Sequence, residues 1–328
     1  MNNFLYINTR PAACSIYQAG LMIYQSIQNS NRYTMDYASI DELDKDALHA
    51  GKIIRNGTDM GTYDAYIFNY HYVTMREMEH IRSEEFHKLA GGKYAVIFEM
   101  LPGNPIIGSL QNSVTNDDFT GYIVVDPTMK YADNRFHNFP RPLAKVQVKP
   151  YEHKEIPVIG TFGLAGHGRN LANLVRAVNQ EFDKAVIRFN FAPGSFFGDV
   201  NGVAKNEVLG ECKSIAKPGV EILLTEHYFS DQELFEWLAQ NTLNVFFYAR
   251  GTSGLSSACD QAIMSGRPII TSADAAFRHI HEYVPAYPET GFVQAIEIGV
   301  EKVAEMQRVW NYENCQKRFE EIIFNTAA

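Results

Sequence analysis

Strand-length apolar runs alternate with helix-period patterns along most of this chain. In the first half NFLYIN, YDAYIFNYH, KYAVIFEM and GYIVVDP read as strands, and the apolar spacing of IYQAGLMIYQSI and MREMEHIRSEEFHKL predicts helices between them. Such alternation specifies a parallel sheet covered by helices. Periodicity stops at FHNFPRPLAKVQVKPYEHKEIP, where Pro140, Pro142, Pro150 and Pro157 and mixed charges predict a linker. It resumes with the strand IPVIGTFG, the helix RNLANLVRAVNQEF, the strands KAVIRFNFA and VEILLTEH, the helix SDQELFEWLAQN, the strand LNVFFYA, a glycine- and serine-led helix, and RPIITS. Ser230 with Glu233 three residues on has the spacing of a capping box. From about Thr290 the pattern is helical. The expected organisation is a Rossmann-like domain over residues 1–145, a linker over 146–156, a second Rossmann-like domain over 157–289 and C-terminal helices over 290–328.

Composition narrows the function classes. The 328 residues are 46% hydrophobic and 20% charged, enough for two full cores. A net charge of −9 argues against nucleic-acid binding, which works by concentrating cations on phosphates. Cys14, Cys212, Cys259 and Cys315 lack CxxC spacing, which fits reduced thiols in a cytoplasmic protein rather than a disulfide framework or a zinc site. MNNFLYINTR lacks the basic-then-apolar plan of a signal peptide, and no apolar run reaches the ~20 residues that span a bilayer. The expectation is a cytoplasmic protein, with peripheral membrane contact left open.

Two glycine loops carry the candidate chemistry. GTSGLSSACDQAIMSGRP, residues 251–268, follows a strand-like run and opens a helix on small residues. Such an opening presents unpaired backbone N–H groups and the positive end of a helix dipole to an anion. IPVIGTFGLAGHGRN, residues 156–170, repeats the arrangement and adds the cation Arg169. Together they suggest a bound diphosphate. A dinucleotide fingerprint fails on spacing, because the first two glycines of GTFGLAGHG are not two apart and Asp183 precedes the second strand instead of following it.

On these residues the second half resembles the donor-binding domain of GT-B glycosyltransferases, especially the retaining family-four (glycogen synthase-like) enzymes, over about residues 156–272. The first half matches by its order of elements. The resemblance implies an α/β fold of two doubly wound domains facing one cleft. It also implies a nucleoside-diphosphate sugar as donor, a carbohydrate or glycoconjugate acceptor, retention, no metal ion and no other cofactor. Arg169 stands at the family's diphosphate-holding cation, beside Gly163 and His167, while Leu164 stands where an arginine is common. Gly254, Leu255, Ser256 and Ser257 would bring backbone donors to the phosphates. The family's two glutamates align with Ser253 and Gln261, making Gln261 and its neighbour Asp260 the candidates for the ribose. These two side chains diverge by about 100° around a helix. His227 and Tyr228 would neighbour the base.

In the first domain, loops at strand ends carry Arg10, His71 and Glu99, and His71 and Glu99 are the candidate catalytic groups facing the sugar. Glu99 stands where many relatives have histidine. Thirteen of the eighteen tyrosines fall in residues 1–151, which suits either carbohydrate stacking or core packing. Two other readings stay open. One is a nonhydrolysing sugar-nucleotide epimerase of the same architecture, using cleft carboxylates as acid and base. The other, raised by the two missing glutamates, is an inactive relative that binds a nucleotide sugar or a partner glycosyltransferase.

Overall fold

Near-continuous apolar strands build two parallel sheets. The computed structural model describes all residues except 12–14, 72–73, 76–78, 99–118, 132, 164–166, 192–202, 250–253 and 326–328, and the backbone alone at 15, 83–85, 167, 203–204 and 325. The chain divides into unit 1, residues 1–144 with 310–328, and unit 2, residues 145–309.

Unit 1 runs β1 (Asn2–Asn8), α1 (Ser15–Ile27), β2 (Tyr33–Ser39), α2 (Lys45–His49), an antiparallel pair β3 (Ile54–Arg55) and β4 (Thr58–Asp59), then β5 (Ala65–Asn69), β6 (Gly92–Ile97), β7 (Gly121–Val124) and β8 (Phe136–Asn138). The main sheet has the order β2-β1-β5-β6-β7-β8, and every pairing in it is parallel. Side chains alternate across it with the two-residue period of a strand. Leu5, Ile7, Tyr66, Phe68 and Ala95 pack on one face with Phe86. Phe4, Tyr6, Ile67 and Val96 pack on the other with Ile23 and Ile27 of α1.

The segment 75–89 departs from the helix its apolar spacing predicts. Among the described residues it forms a 3₁₀ turn over Ser83–Lys88, and residues 79–82 lie outside any helix. His80 adopts a left-handed backbone (φ 57°), which stops helix propagation. Among the described residues Met75, Ile81, Phe86 and Leu89 are buried, and they reach the core without one continuous helix between Met75 and Leu89.

Unit 2 runs β9 (Val158–Phe162), α3 (Leu171–Glu181), β10 (Ala185–Asn190), α4 (Val203–Ile215), β11 (Val220–Thr225), α5 (Asp231–Ala239), β12 (Leu243–Phe246), α6 (Ser257–Met264), β13 (Ile269–Thr271), α7 (Arg278–His281) and α8 (Phe292–Val309). Its all-parallel order β11-β10-β9-β12-β13 is doubly wound and reverses between β9 and β12. The capping box forms at α5, where Ser230 N donates to Glu233 Oε2 at 2.8 Å and Glu233 N donates to Ser230 Oγ at 3.4 Å. Beside the reversal, Asn244 of β12 pairs with Gly160 of β9. The side chain of Asn241 fills the space over that glycine, donating to Asn244 Oδ1 and accepting from Arg188, both at 2.8 Å.

The helical tail is shared between the units. Phe292 and Ala295 of α8 complete the core of unit 2. Cys315, Phe319 and Ile322 of α9 (Tyr312–Asn325) complete the second face of unit 1. The irregular segment entering β9 is fastened to unit 2 by Tyr151, whose ring lies 3.6 Å under the Arg267 guanidinium and whose hydroxyl is 2.9 Å from Thr242 Oγ1.

Two glycine substitutions separate packing from helix propensity. A Cβ at Gly160 would sit 1.9 Å from Asn241 Nδ2, so Gly160→Ala should lose about 1–3 kcal/mol in denaturant unfolding. Gly210 in α4 has nothing within 4 Å of its Cβ position. Gly210→Ala should therefore gain roughly 0.5–1 kcal/mol in the same measurement.

Candidate functional site

β9 and β12 are neighbours, so the loops leaving their C-terminal ends emerge side by side at the reversal of strand order. Open α/β sheets bind ligands in this crevice. Gly163, the first residue past β9, has φ +123°, a left-handed conformation favouring glycine, and its N–H donates to Asn190 O at 3.0 Å. The chain then forms a 3₁₀ turn at His167–Arg169 that returns Arg169 over Gly163. A Cβ at Gly163 would lie 2.1 Å from Arg169 Nη2, so the glycine makes room for the guanidinium.

Arg169 is 5% exposed. Its Nη1 donates to the Phe162 carbonyl, and its Cζ stands 5.1 Å from the centroid of the Tyr248 ring. Tyr248 follows β12, which makes this a contact between the two loops. A second link joins them, from Ala249 N to Gly168 O at 3.0 Å. Tyr248 is itself fixed on several sides. Its N–H donates to Ser272 Oγ at 2.9 Å, its ring packs 4.5 Å from that of Phe277, and its hydroxyl lies 3.1 Å from Ser256 Oγ.

Ser256 is the N-cap of α6, and its own N–H donates to Ala276 O at 3.0 Å. Gly254 is half-buried and Leu255 buried in the approach to the helix. Ser257 and Ala258 open the first turn, where helix geometry supplies their N–H groups with no acceptor. Gly163, Arg169 and residues 254–257 therefore meet at one place, with a buried cation beside a helix N-terminus.

The two ribose candidates point differently. Asp260 lies on the buried side of α6, its Oδ1 3.5 Å from Nε2 of the fully buried His279 on α7. Gln261, one position on, is half-buried. His281, on the same short helix as His279, has Nε2 3.2 Å from the Ser272 carbonyl. The same nitrogen is 3.0 Å from Thr271 Oγ1. Burial pushes the His281 imidazole down from its ordinary value.

His227 and Tyr228 follow β11, at the edge of the sheet. Asn190, ending β10, holds this turn. It donates to His227 O at 3.1 Å and accepts from Thr225 Oγ1 at 2.8 Å and from His227 N at 3.3 Å. Tyr228 is 61% exposed, while the His227 ring stands edge-on to Phe229 at 5.2 Å. The Asn190 carbonyl receives Gly163 N–H, so one residue connects this turn to the β9 loop.

In unit 1, His71 follows β5 and accepts from Thr74 N at Nδ1, 3.4 Å away. Arg10, following β1, pairs through Nε with Glu79 Oε1 at 2.9 Å, and Lys45 joins the same buried carboxylate at 2.9 Å. Glu99 and the side chain of His167 lie outside the described residues. Among the described residues no cluster of three or more His, Cys, Asp or Glu is placed to hold a metal ion, and no helix is long and apolar enough to cross a membrane. Tyr248, Asn190 and His279 contact the candidate residues, and sequence reasoning did not mark them. Each acts through a partner far away in the chain, and no local motif marks it.

No family model matches the chain, and no curated protein matches it. Solved structures do. Anabaena HepE in complex with UDP and glucose superposes with a TM-score of 0.63 at 8% identity, covering 99% of this chain and 100% of that one. The trehalose-6-phosphate synthase OtsA gives 0.63 at 9% identity over 99% of each chain. A mutant of Staphylococcus aureus TarM bound to fondaparinux, α-GlcNAc-glycerol and UDP gives 0.55 at 10% identity, covering 79% of this chain and 55% of that one. This chain thus spans just over half the length of TarM. The proteins share the GT-B architecture, and the likeness is one of fold: this chain is an α/β protein of the GT-B fold.

The contact between Gly163 and Arg169 is open to a double-mutant cycle. Gly163→Ala should cost about 1–3 kcal/mol, through the positive φ and the clash with the guanidinium. In an Arg169→Ala background the clash disappears. The coupling between the two substitutions should therefore reach roughly 1 kcal/mol in equilibrium unfolding, and strict additivity would refute the contact.

Proposed function

We propose that this protein is a glycosyltransferase that moves a sugar from a nucleoside-diphosphate sugar to a carbohydrate or glycoconjugate acceptor. The observation that carries this reading is the meeting of Arg169 with the N-terminus of α6 at the β9/β12 reversal. A GT-B fold shared with proteins solved with UDP and glucose, or with UDP and a glycosylated glycerol, supports it.

Breaking the bond between a sugar and a diphosphate leaves negative charge on the departing phosphate. The Arg169 guanidinium and the amides of residues 257 and 258 are fixed before the reaction, so they stabilise that charge without reorganising. Burial strengthens the effect, because a cation screened from water acts through a lower dielectric. These groups supply the positive charge for which other enzymes use a metal ion, and the reaction is proposed to run without one. Retention would require no protein nucleophile. Gln261 is the better placed of the two ribose candidates, since Asp260 is engaged with His279. The turn at His227 and Tyr228 would neighbour the base, and His71 and Glu99 are the proposed catalytic groups.

Thermal unfolding of the full chain with UDP, GDP, ADP, dTDP, CMP and NAD, each with magnesium or with EDTA, tests the donor site. A ligand at about 100 times its Kd adds ~2.7 kcal/mol, a shift of several degrees. One nucleoside diphosphate should stabilise the protein equally in both conditions, and Arg169→Ala should weaken that ligand at least tenfold, about 1.4 kcal/mol. Stabilisation by NAD alone would sink the reading. Release of the nucleoside diphosphate from its sugar donor, faster with an acceptor glycan present, would separate the transferase from an inactive binder.

A further inference from the structure

Arg169 poses a physical problem that its surroundings answer. A buried guanidinium needs partners to offset its desolvation, yet a cation serving a diphosphate has to keep its charge. Arg169, 5% exposed, donates to the Phe162 carbonyl and lies over the face of Tyr248. A ring quadrupole attracts a guanidinium, so the ring fixes where the cation sits.

The other contacts of Tyr248 extend this role to the second phosphate-facing element. Its hydroxyl is 3.1 Å from Ser256 Oγ, at the N-cap of α6. Because the Ser256 side chain makes no hydrogen bond to its own helix, its position is set by this link and by the bond from its N–H to Ala276 O. Ser272 fixes the backbone of Tyr248 from both sides, accepting from its N–H at 2.9 Å and donating to its carbonyl at 3.0 Å. One aromatic residue, 6% exposed, thus holds the cation with its face and the helix entry with its hydroxyl.

We infer that Tyr248 is a positioning residue for the diphosphate. It sets the distance between Arg169 and the first-turn amides of α6 so that one diphosphate engages both. The inference rests on the donor-site reading above, and the experiment keeps the two apart.

The test is UDP affinity by calorimetry on the full chain, in wild type, Tyr248→Leu, Tyr248→Phe and Ser256→Ala, each alone and with Arg169→Ala. Thermal unfolding without ligand checks that each variant is folded. Tyr248→Leu should weaken UDP at least tenfold, and that loss should largely vanish in the Arg169→Ala background. Tyr248→Phe keeps the ring and should recover most of the affinity, staying within about threefold of wild type. Ser256→Ala should match Tyr248→Phe, and combining the two should add nothing further.

Equal UDP affinity in wild type and Tyr248→Leu would overturn the inference. So would a loss in Tyr248→Leu that persists undiminished without Arg169, since that is the signature of general destabilisation. If Tyr248→Leu does not fold, the decision passes to Tyr248→Phe and Ser256→Ala, where additive losses count against the inference. Wild-type protein that binds no nucleoside diphosphate would remove the donor-site reading and the inference with it. Wild-type binding that depends on Arg169 but not on Tyr248 would remove the inference alone.

Discussion

Parallel pairing of β12 against β9, rather than against the strand that precedes it in the chain, is the constraint from which the candidate site follows. Once these strands are neighbours, two loops remote in sequence leave the sheet together, one bringing a cation and the other a helix start. The close fit depends on what is missing from side chains as much as on what is present. Gly160 leaves room for the Asn241 amide beneath the sheet's reversal, and Gly163 leaves room for the Arg169 guanidinium at its mouth. A methyl group at either glycine would have to displace a buried polar side chain.

Much of the fold was legible because apolar runs buried on both faces are hard to mistake. β1, β5 and β12 carry almost uninterrupted buried residues, and Ser230 with Glu233 marked the start of α5 by local chemistry alone. What escaped detection was weaker in period. β2 is an edge strand whose sequence YTMDYAS is partly exposed, and α4 buries only a narrow stripe that includes Val208, Leu209 and Cys212. The segment 75–89 misled in the opposite way. Its helix-forming residues suggested a helix, but His80 takes a left-handed backbone inside it and Met75, Ile81, Phe86 and Leu89 pack into the core without one, so packing overrides propensity.

At the site, the glycine loops and Arg169 could be read from sequence because backbone geometry and charge leave local signatures. Tyr248 could not, since a tyrosine after an apolar strand looks like one more core aromatic. Its role appears only when the 3₁₀ turn at 167–169 brings Arg169 to its face. Asp260 and Gln261 show the same limit. Adjacent residues on a helix are interchangeable in an alignment, but the fold turns one of them toward His279.

The division of the helical tail bears on how the protein is made. Unit 2 is a continuous stretch, residues 145–309, and has all its parts as soon as that stretch leaves the ribosome. Unit 1 is not, because Cys315, Phe319 and Ile322 of α9 cover the face formed by Phe4, Tyr6, Ile67 and Val96. β1 and β5 therefore wait for α9 before the core of unit 1 can close. During that interval α1 covers the apolar sheet face only in part, and exposed apolar surface is where nascent chains aggregate or recruit chaperones. Unit 2 can thus have all its residues in hand before unit 1 does, although most of unit 1 precedes it in the chain.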